Sequence, residues 1–215
     1  MYLPPHFEER RPEVLHALLR AHPLGLLMTQ AVPAGDAAPR LEANAIPFML
    51  DAESGPYGTL VAHVARANPV WREARTDAES LVVFQGPQVY VTPSWYATKA
   101  DTGKVVPTWN YVIAEARGPL RVIEDAAWLH ALVSRLTERH EGQREVPWAV
   151  ADAPADYISG LLRAIVGIEI ELTALAGKWK VSQNRPAADR EGVARGLAAV
   201  ADEQAQAVAR LVPRG

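Results

Sequence analysis

The period of apolar and polar residues changes several times along this chain, and each change marks an element. Over 8–21 the residues Val14, Leu15, Leu18 and Leu19 form one helical stripe, which Pro23 closes. Leu24–Thr29 is a short apolar run that predicts a buried strand. Residues 31–40, rich in Pro, Gly and Ala, predict an exposed hairpin loop. Residues 41–50 predict the returning strand, interrupted by Pro47, and the turn over 51–56 leads to a strand over 58–64. Asn68 followed by Pro69 is a helix-start signal and predicts a short helix over about 69–75. Residues 80–85 read as a continuous apolar strand, and Gly86-Pro87 as a turn. In the next strand Val89 and Val91 alternate with Gln88 and Tyr90, until Pro93, which has no N–H to donate, ends the ladder.

A polar loop over 97–104 precedes a long strand over 105–118, which 119–123 continues or pairs. Asp125 caps a helix of about fifteen residues with Trp128, Leu129, Leu132, Val133 and Leu136 on one face, and Gly142 ends it. A Pro/Ala/Asp linker over 147–156 is followed by a short helix to about Ala164. Residues 165–174 form a strand with Ile168, Ile170 and Leu172 on one side and Glu169 and Glu171 on the other. Pro186 opens a final helix with Val193, Leu197, Val200 and Val208 at helical spacing. The sum is about seven or eight strands, mostly antiparallel by their short connections, with four or five helices. That predicts an α+β protein built on a closed or split barrel.

Composition narrows the function. The 215 residues fit one large domain, expected over 1–210 with helical additions at about 125–164 and 186–210. The tail Leu211-Val-Pro-Arg-Gly215 coincides with the core of a common protease-cleavage tag and receives no functional weight. A net charge of −3 and a pI near 6.1 argue against a dominant nucleic-acid or membrane surface. With no cysteine, thiolate catalysis and disulfides are excluded. The opening residues lack an apolar h-region and are not expected to be a secretory signal, so a soluble cytoplasmic protein is the expectation. The six histidines are scattered and make no His-x-x-x-His pair, so no zinc site is expected. There is no Gly-x-Ser-x-Gly elbow, and no Gly-x-Gly-x-x-Gly follows a strand.

Three stretches hold candidate chemistry. Tyr90, Trp95, Tyr96, Trp109 and Tyr111 crowd into positions 86–111 of a chain that is only 7% aromatic, with Ser94 and Lys99 beside them. Flat rings, a hydroxyl and a cation at a strand end suit a flat, polar-edged ligand; a core aromatic cluster under a loop is the alternative. His63, Arg66 and the Asn68-capped turn combine a helix N-terminus with cations, a recipe for phosphate; a capped connector helix with a surface arginine is the alternative. Lys178, Gln183 and Arg185 form a polar cluster after a strand, which on the residues alone a solvated strand end before the Pro186 helix start explains better than a site.

The segments Gly86-Pro-Gln-Val-Tyr-Val-Thr-Pro-Ser-Trp-Tyr96 and Val105-Val-Pro-Thr-Trp-Asn-Tyr111-Val112 resemble signature segments of the PaiB family of FMN-binding negative transcriptional regulators. That family is similar in fold to the pyridoxamine-phosphate-oxidase split barrels. Residues 58–71, residues 177–193 and the opening Met1–Phe7 match as well, so the resemblance spreads over about 1–197. It implies a mainly antiparallel split β-barrel with peripheral helices and a C-terminal helix, working as a two-fold homodimer with FMN at the subunit interface. It further implies that His63, Arg66 and Asn68 serve the phosphate. The resemblance also implies that Ser94, Trp95, Tyr96, Trp109 and Asn110 line the ring or ribityl chain, with Lys99 within reach as a further cofactor-binding residue. Lys178, Gln183 and Arg185 complete the site, with Lys178 or Arg185 near the flavin N1/O2 edge.

Two positions depart from the family pattern. Ala45 precedes the Ile46-Pro47 pair where a histidine is usual, and Gln88 follows Gly86-Pro87 where a histidine is frequent. Three functions follow for consideration: an FMN-binding regulator, an FMN-dependent oxidoreductase with Tyr96, Tyr111 or His63 as acid–base candidates, or a flavin-free relative binding haem through His63. With no helix-turn-helix evident, direct DNA binding is not expected; a regulator of this kind is expected to act through a ligand-dependent partner.

Overall fold

The structure, a computed structural model, describes residues 1–34 and 38–214. The expected loop over 31–40 therefore lies partly outside the described residues, as does Gly215 of the tail. In chain order, a 3₁₀ turn at Pro5–Phe7 and strand β1 (Glu8–Glu9) precede helix α1 (Pro12–Ala21). Strands β2 (Leu24–Ala31), β3 (Arg40–Pro47), β4 (Met49–Asp51) and β5 (Thr59–Ala65) lead to α2 (Val70–Glu73) and β6 (Glu79–Val91). A 3₁₀ turn at Pro93–Trp95, α3 (Thr98–Thr102), β7 (Thr108–Ile123) and α4 (Ala126–Glu141) come next. Then follow a 3₁₀ turn at Val150–Asp152, α5 (Ala155–Arg163), β8 (Ile165–Glu171), β9 (Ala174–Lys180), α6 (Ala187–Ala199) and α7 (Glu203–Leu211).

The architecture is α+β, as the alternation of periods predicts. The strand order is β3-β2-β6-β7-β8-β5-β4, with β9 beside β7 and β1 beside β9. The pairings β1–β9, β2–β3, β2–β6, β4–β5, β5–β8 and β7–β8 are all antiparallel. The chain divides into two compact units. The first gathers Met1–His22, Phe84–Glu115 and Ala176–Gly215, the second Pro23–Val83 and Ala116–Leu175.

In the first unit, α1 buries Leu15, Leu18 and Leu19, the stripe read from the sequence. One of its core clusters joins Val91 and Tyr96 to Val193, Leu197, Ala205, Val208 and Val212, with Trp95 packed against it. Val212, in the tail set aside as a tag remnant, is thus part of this core. In the second unit, β5 and β8 pair from Thr59↔Glu171 to Ala65↔Ile165. Helix α4 covers them through Leu132, with Trp128 and Leu136 packed beside Met49 and Val61. Asp125 caps α4 as predicted, its Oδ1 accepting from Trp128 N at 2.7 Å.

Several boundaries differ from the sequence reading. Glu8 and Glu9 pair with Lys178 and Gly177 in a strand, so α1 starts only at Pro12. Gly86-Pro87 is no turn but the middle of a 13-residue strand. Gly86 is there because a Cβ would lie 2.7 Å from Leu18 Cδ1. Residues 119–123 continue β7 rather than forming a separate strand. The final helix is two helices, since Asp202 caps a new start by accepting from Ala205 N at 2.7 Å. Lys178 and Lys180 lie inside β9, not after a strand.

Candidate functional site

The candidates from the sequence fall in both units. In the first, β6 runs out at Val91 and the Thr92 hydroxyl accepts from Ser94 N at 3.3 Å, which fixes the Pro93–Trp95 turn. Trp95 and Tyr96 then turn inward. Tyr96 is 3% exposed, and Trp95 lies across α6, where a Cβ at Gly192 would be 2.0 Å from its carbonyl oxygen and one at Gly196 2.4 Å from its ring. These two rings belong to the core, the alternative held open for the aromatic cluster. Ser94 and Lys99 stay at the surface, with Lys99 Nζ 3.2 Å from Ser94 Oγ. Trp109 and Tyr90 also stay outside, 53% and 48% exposed, edge to face with centroids 6.3 Å apart. Asn110 is buried and exchanges hydrogen bonds with Ser182, which sits in left-handed backbone conformation at φ 66°. Gln183 is spent locally, accepting from Val181 N at 2.8 Å and donating to the Trp179 carbonyl.

The cations converge. Strand alternation puts Lys178 and Lys180 on one face of β9. Their ammonium groups lie 5.5 and 5.9 Å from the centroid of the Tyr111 ring. Lys178, 8% exposed, donates to the Tyr2 carbonyl at 3.0 Å, and Lys180 donates to Thr108 Oγ1 and the Trp109 carbonyl. The Arg185 guanidinium stands 4.8 Å from the centroid of the Tyr96 ring. Burial holds the Lys180 ammonium below the ordinary lysine range, and the charges of Lys178 and Arg185 push it further down. Among the described residues no carboxylate pairs with any of the three. Asp189, the nearby buried acid, is occupied by Thr98 N at 2.9 Å and Thr98 Oγ1 at 2.8 Å. Tyr96 Oη is buried without a hydrogen-bond partner. Burial raises the Tyr96 pKa, Arg185 opposes the shift and Asp189 adds to it. Lys180 and Tyr2 were missed from the sequence; the signal was the i, i+2 spacing of Lys178 and Lys180, hidden because 178–180 was not read as strand.

In the second unit the three expected phosphate groups have separate employments. Arg66 is a clasp: Nε donates to Arg163 O at 2.8 Å, Nη2 to Ile165 O at 3.2 Å and Nη1 to Glu124 Oε2 at 2.5 Å. Asn68 Oδ1 accepts from Val70 N at 3.0 Å, and its Nδ2 donates to Asn44 Oδ1 at 3.0 Å. The helix it caps, α2, is only four residues long. His63 points elsewhere, into an apolar cavity with Val133, Leu162 and Ile165. Ala45 lies exposed on β3 opposite Leu26, and Gln88 is exposed on β6.

Residues 1–174 match the protein family described as "Putative FMN-binding domain". The chain belongs to this FMN-binding family. An uncharacterised protein of Aspergillus fumigatus is 35% identical to it over 99% of this chain and 96% of that one. Bacillus subtilis protease synthase and sporulation protein PAI 2 is 27% identical over the same shares. Among solved structures, an FAD- and haem-binding protein of Mycobacterium smegmatis superposes with TM-score 0.52 at 18% identity, covering 80% of this chain and 73% of that one. This likeness is one of fold, the split barrel. FMN is the cofactor of the family. The first unit fits it on its own chemistry: Lys178, Lys180 and Arg185 lie close enough to repel one another and have no carboxylate partner among the described residues. No helix among the described residues is long and apolar enough to cross a membrane, and none of their His, Asp and Glu residues cluster to hold a metal.

Proposed function

We propose that the protein is an FMN-binding homodimer in which Lys178, Lys180 and Arg185 receive the anionic phosphate end of the cofactor. The observation that carries the reading is a half-buried set of three cations with no carboxylate among them. A phosphate carries up to two negative charges and accepts several charge-assisted hydrogen bonds, so it offsets both the burial and the repulsion by Lys178 and Arg185 that depress Lys180. The exposed Trp109–Tyr90 pair offers a flat surface for the ring system, and Ser94 with Lys99 offers polar contacts at its edge. Bound FMN supplies two-electron redox chemistry. The residues bind it, orient it and set the charge at its edge.

A face of the second unit supports the homodimer. Leu24, Leu26 and Leu41 are 62, 37 and 80% exposed. By register, Met28, Ala43, Ala45 and Pro47 share their side of the β2–β3 ladder. An apolar sheet face of this kind suits a second copy better than water. The name of the Bacillus relative points to sporulation, and a regulatory role here is proposed to run through an FMN-dependent partner. A net charge of −3 favours that over direct DNA binding.

The test is a titration of purified protein with FMN, read by flavin absorbance after dialysis, with light scattering for mass. One flavin per subunit on a dimer is expected. Lys180→Met removes one charge-assisted contact, about 1.5–3 kcal/mol, and weakens FMN roughly tenfold to a hundredfold. Failure of the wild-type protein to retain flavin sinks the proposal.

A further inference from the structure

We infer that the opening segment, residues 1–7, is a strap across the cation set that an incoming anion displaces. The inference rests on the proposed reading of Lys178, Lys180 and Arg185 as the anion site. Lys178 holds both ends of the strap. Its backbone is the register partner of Glu8 in the β1–β9 pair, and its ammonium donates to the Tyr2 carbonyl at 3.0 Å. The Tyr2 ring stands 5.5 Å from the same ammonium, and so does the Tyr111 ring. Met1 N donates to Glu115 Oε2 at 3.2 Å beside this contact.

The partners of Lys178 are a carbonyl and two rings, all neutral. They satisfy the ammonium without cancelling its charge. A phosphate oxygen offers the same hydrogen bond together with a full opposite charge. The ammonium has three N–H groups, but the residue is 8% exposed, so an anion gains it by displacing a partner rather than by joining them. The strap is the partner able to leave. Tyr111 is held within β7, whereas Tyr2 lies outside β1 and is 83% exposed. Phe7 is buried and its N–H donates to the Pro4 carbonyl at 2.9 Å, so the Pro5–Phe7 turn stays behind as the root. Pro4 and Pro5 fix two φ angles, and the free end therefore lifts as a short stiff arm. The Tyr2 carbonyl thus stands in for the anion until the anion arrives.

The chain has no cysteine, so Leu3→Cys gives a single attachment site for a nitroxide. Its mobility is read by electron paramagnetic resonance as inorganic pyrophosphate or FMN is added, with binding followed in parallel by calorimetry. Both anions are expected to sharpen the spectrum as they bind. Deletion of residues 1–4 is expected to tighten both roughly threefold to tenfold, the range of one exchanged hydrogen bond. Tyr2→Ala keeps the carbonyl and is expected to stay within about twofold of the parent. Anion binding with an unchanged spectrum overturns the strap, and so does a deletion variant that melts like the parent yet binds no tighter. If pyrophosphate frees the label but FMN is not retained, the strap stands and the cofactor reading falls. If FMN binds and neither anion moves the label, the strap falls and the cofactor reading stands. If neither anion binds the parent or the deletion variant, both fall.

Discussion

Gly192→Ala separates two forces that act on α6 in opposite directions. Alanine is the better helix former by about 1 kcal/mol, so helix propensity alone predicts stabilisation. The packing predicts the reverse. A Cβ at 192 would lie 2.0 Å from the Trp95 carbonyl oxygen, against 3.4 Å for an ordinary contact, so one backbone must retreat by about 1.4 Å. That carbonyl sits in a tight turn fixed by Thr92 and Ser94 and cannot swing away as a side chain would. Overpacking of this kind costs about 1–3 kcal/mol, and a backbone obstacle belongs at the upper end. The net expectation is a loss of about 2 kcal/mol, or roughly 4–8 °C in Tm for a chain of this length. Gly160→Ala on α5 is the control. Its Cβ would meet only Arg163 Nη2 at 3.8 Å, so it should gain about 0.5–1 kcal/mol. Gly196 extends the argument, because its Cβ would strike the Trp95 ring instead, at 2.4 Å. Trp95→Ala should therefore rescue Gly196→Ala and not Gly192→Ala, a coupling that a double-mutant cycle in urea reads directly. Since the turn also carries Ser94 and Tyr96, Gly192→Ala should lower FMN retention as well. A Gly192→Ala protein as stable as the parent, or equal rescue of both glycine variants, would refute the packing argument.

Arg66→Ala should destabilise by about 2 kcal/mol through its two lost bonds to carbonyls, its exposed pair with Glu124 adding little, while FMN affinity stays within twofold by absorbance titration. Ser182→Gly relieves about 1 kcal/mol of left-handed strain but loses the bond to buried Asn110. Ser182→Ala loses the bond and keeps the strain, so urea midpoints should fall in the order wild type, Ser182→Gly, Ser182→Ala. The pH dependence has a sign set by Lys180. Its folded pKa lies below the unfolded value, so between the two the unfolded chain binds more protons and stability of the flavin-free protein rises with pH. Lys180→Met should flatten that slope in thermal melts below about pH 10, above which the raised Tyr96 pKa works in the opposite direction.

Much of the fold was legible because its signals were local. The α1 stripe and the Asp125 cap each depend on residues within one or two turns, and the structure keeps them. Gly86-Pro87 misled for the opposite reason. The dipeptide is a turn signal by propensity, but here the glycine answers to Leu18, far away in sequence, and the proline tolerates an extended backbone. The aromatic cluster misled by half. Density alone could not tell Tyr96, which is core, from Trp109, which is surface; burial depends on α6 and α7, more than ninety positions downstream.

The cation set shows how a candidate site stays hidden in a sequence that contains it. Lys178-Trp179-Lys180 reads as a polar strand end until the strand is extended through it. Alternation then throws the two lysines to one side and Trp179 to the other, where it lies over Gly177, at which a Cβ would be 2.5 Å from its ring. Nothing in the packing requires two ammonium groups on that face. Burial disfavours the charge on Lys180, Lys178 and Arg185 disfavour it further, and the bonds to Thr108 and Trp109 are ones a neutral donor could make. A stretch selected for stability alone would place a carboxylate there or replace a lysine with an apolar residue. Under the proposed function, the anion that completes these three cations is the FMN phosphate.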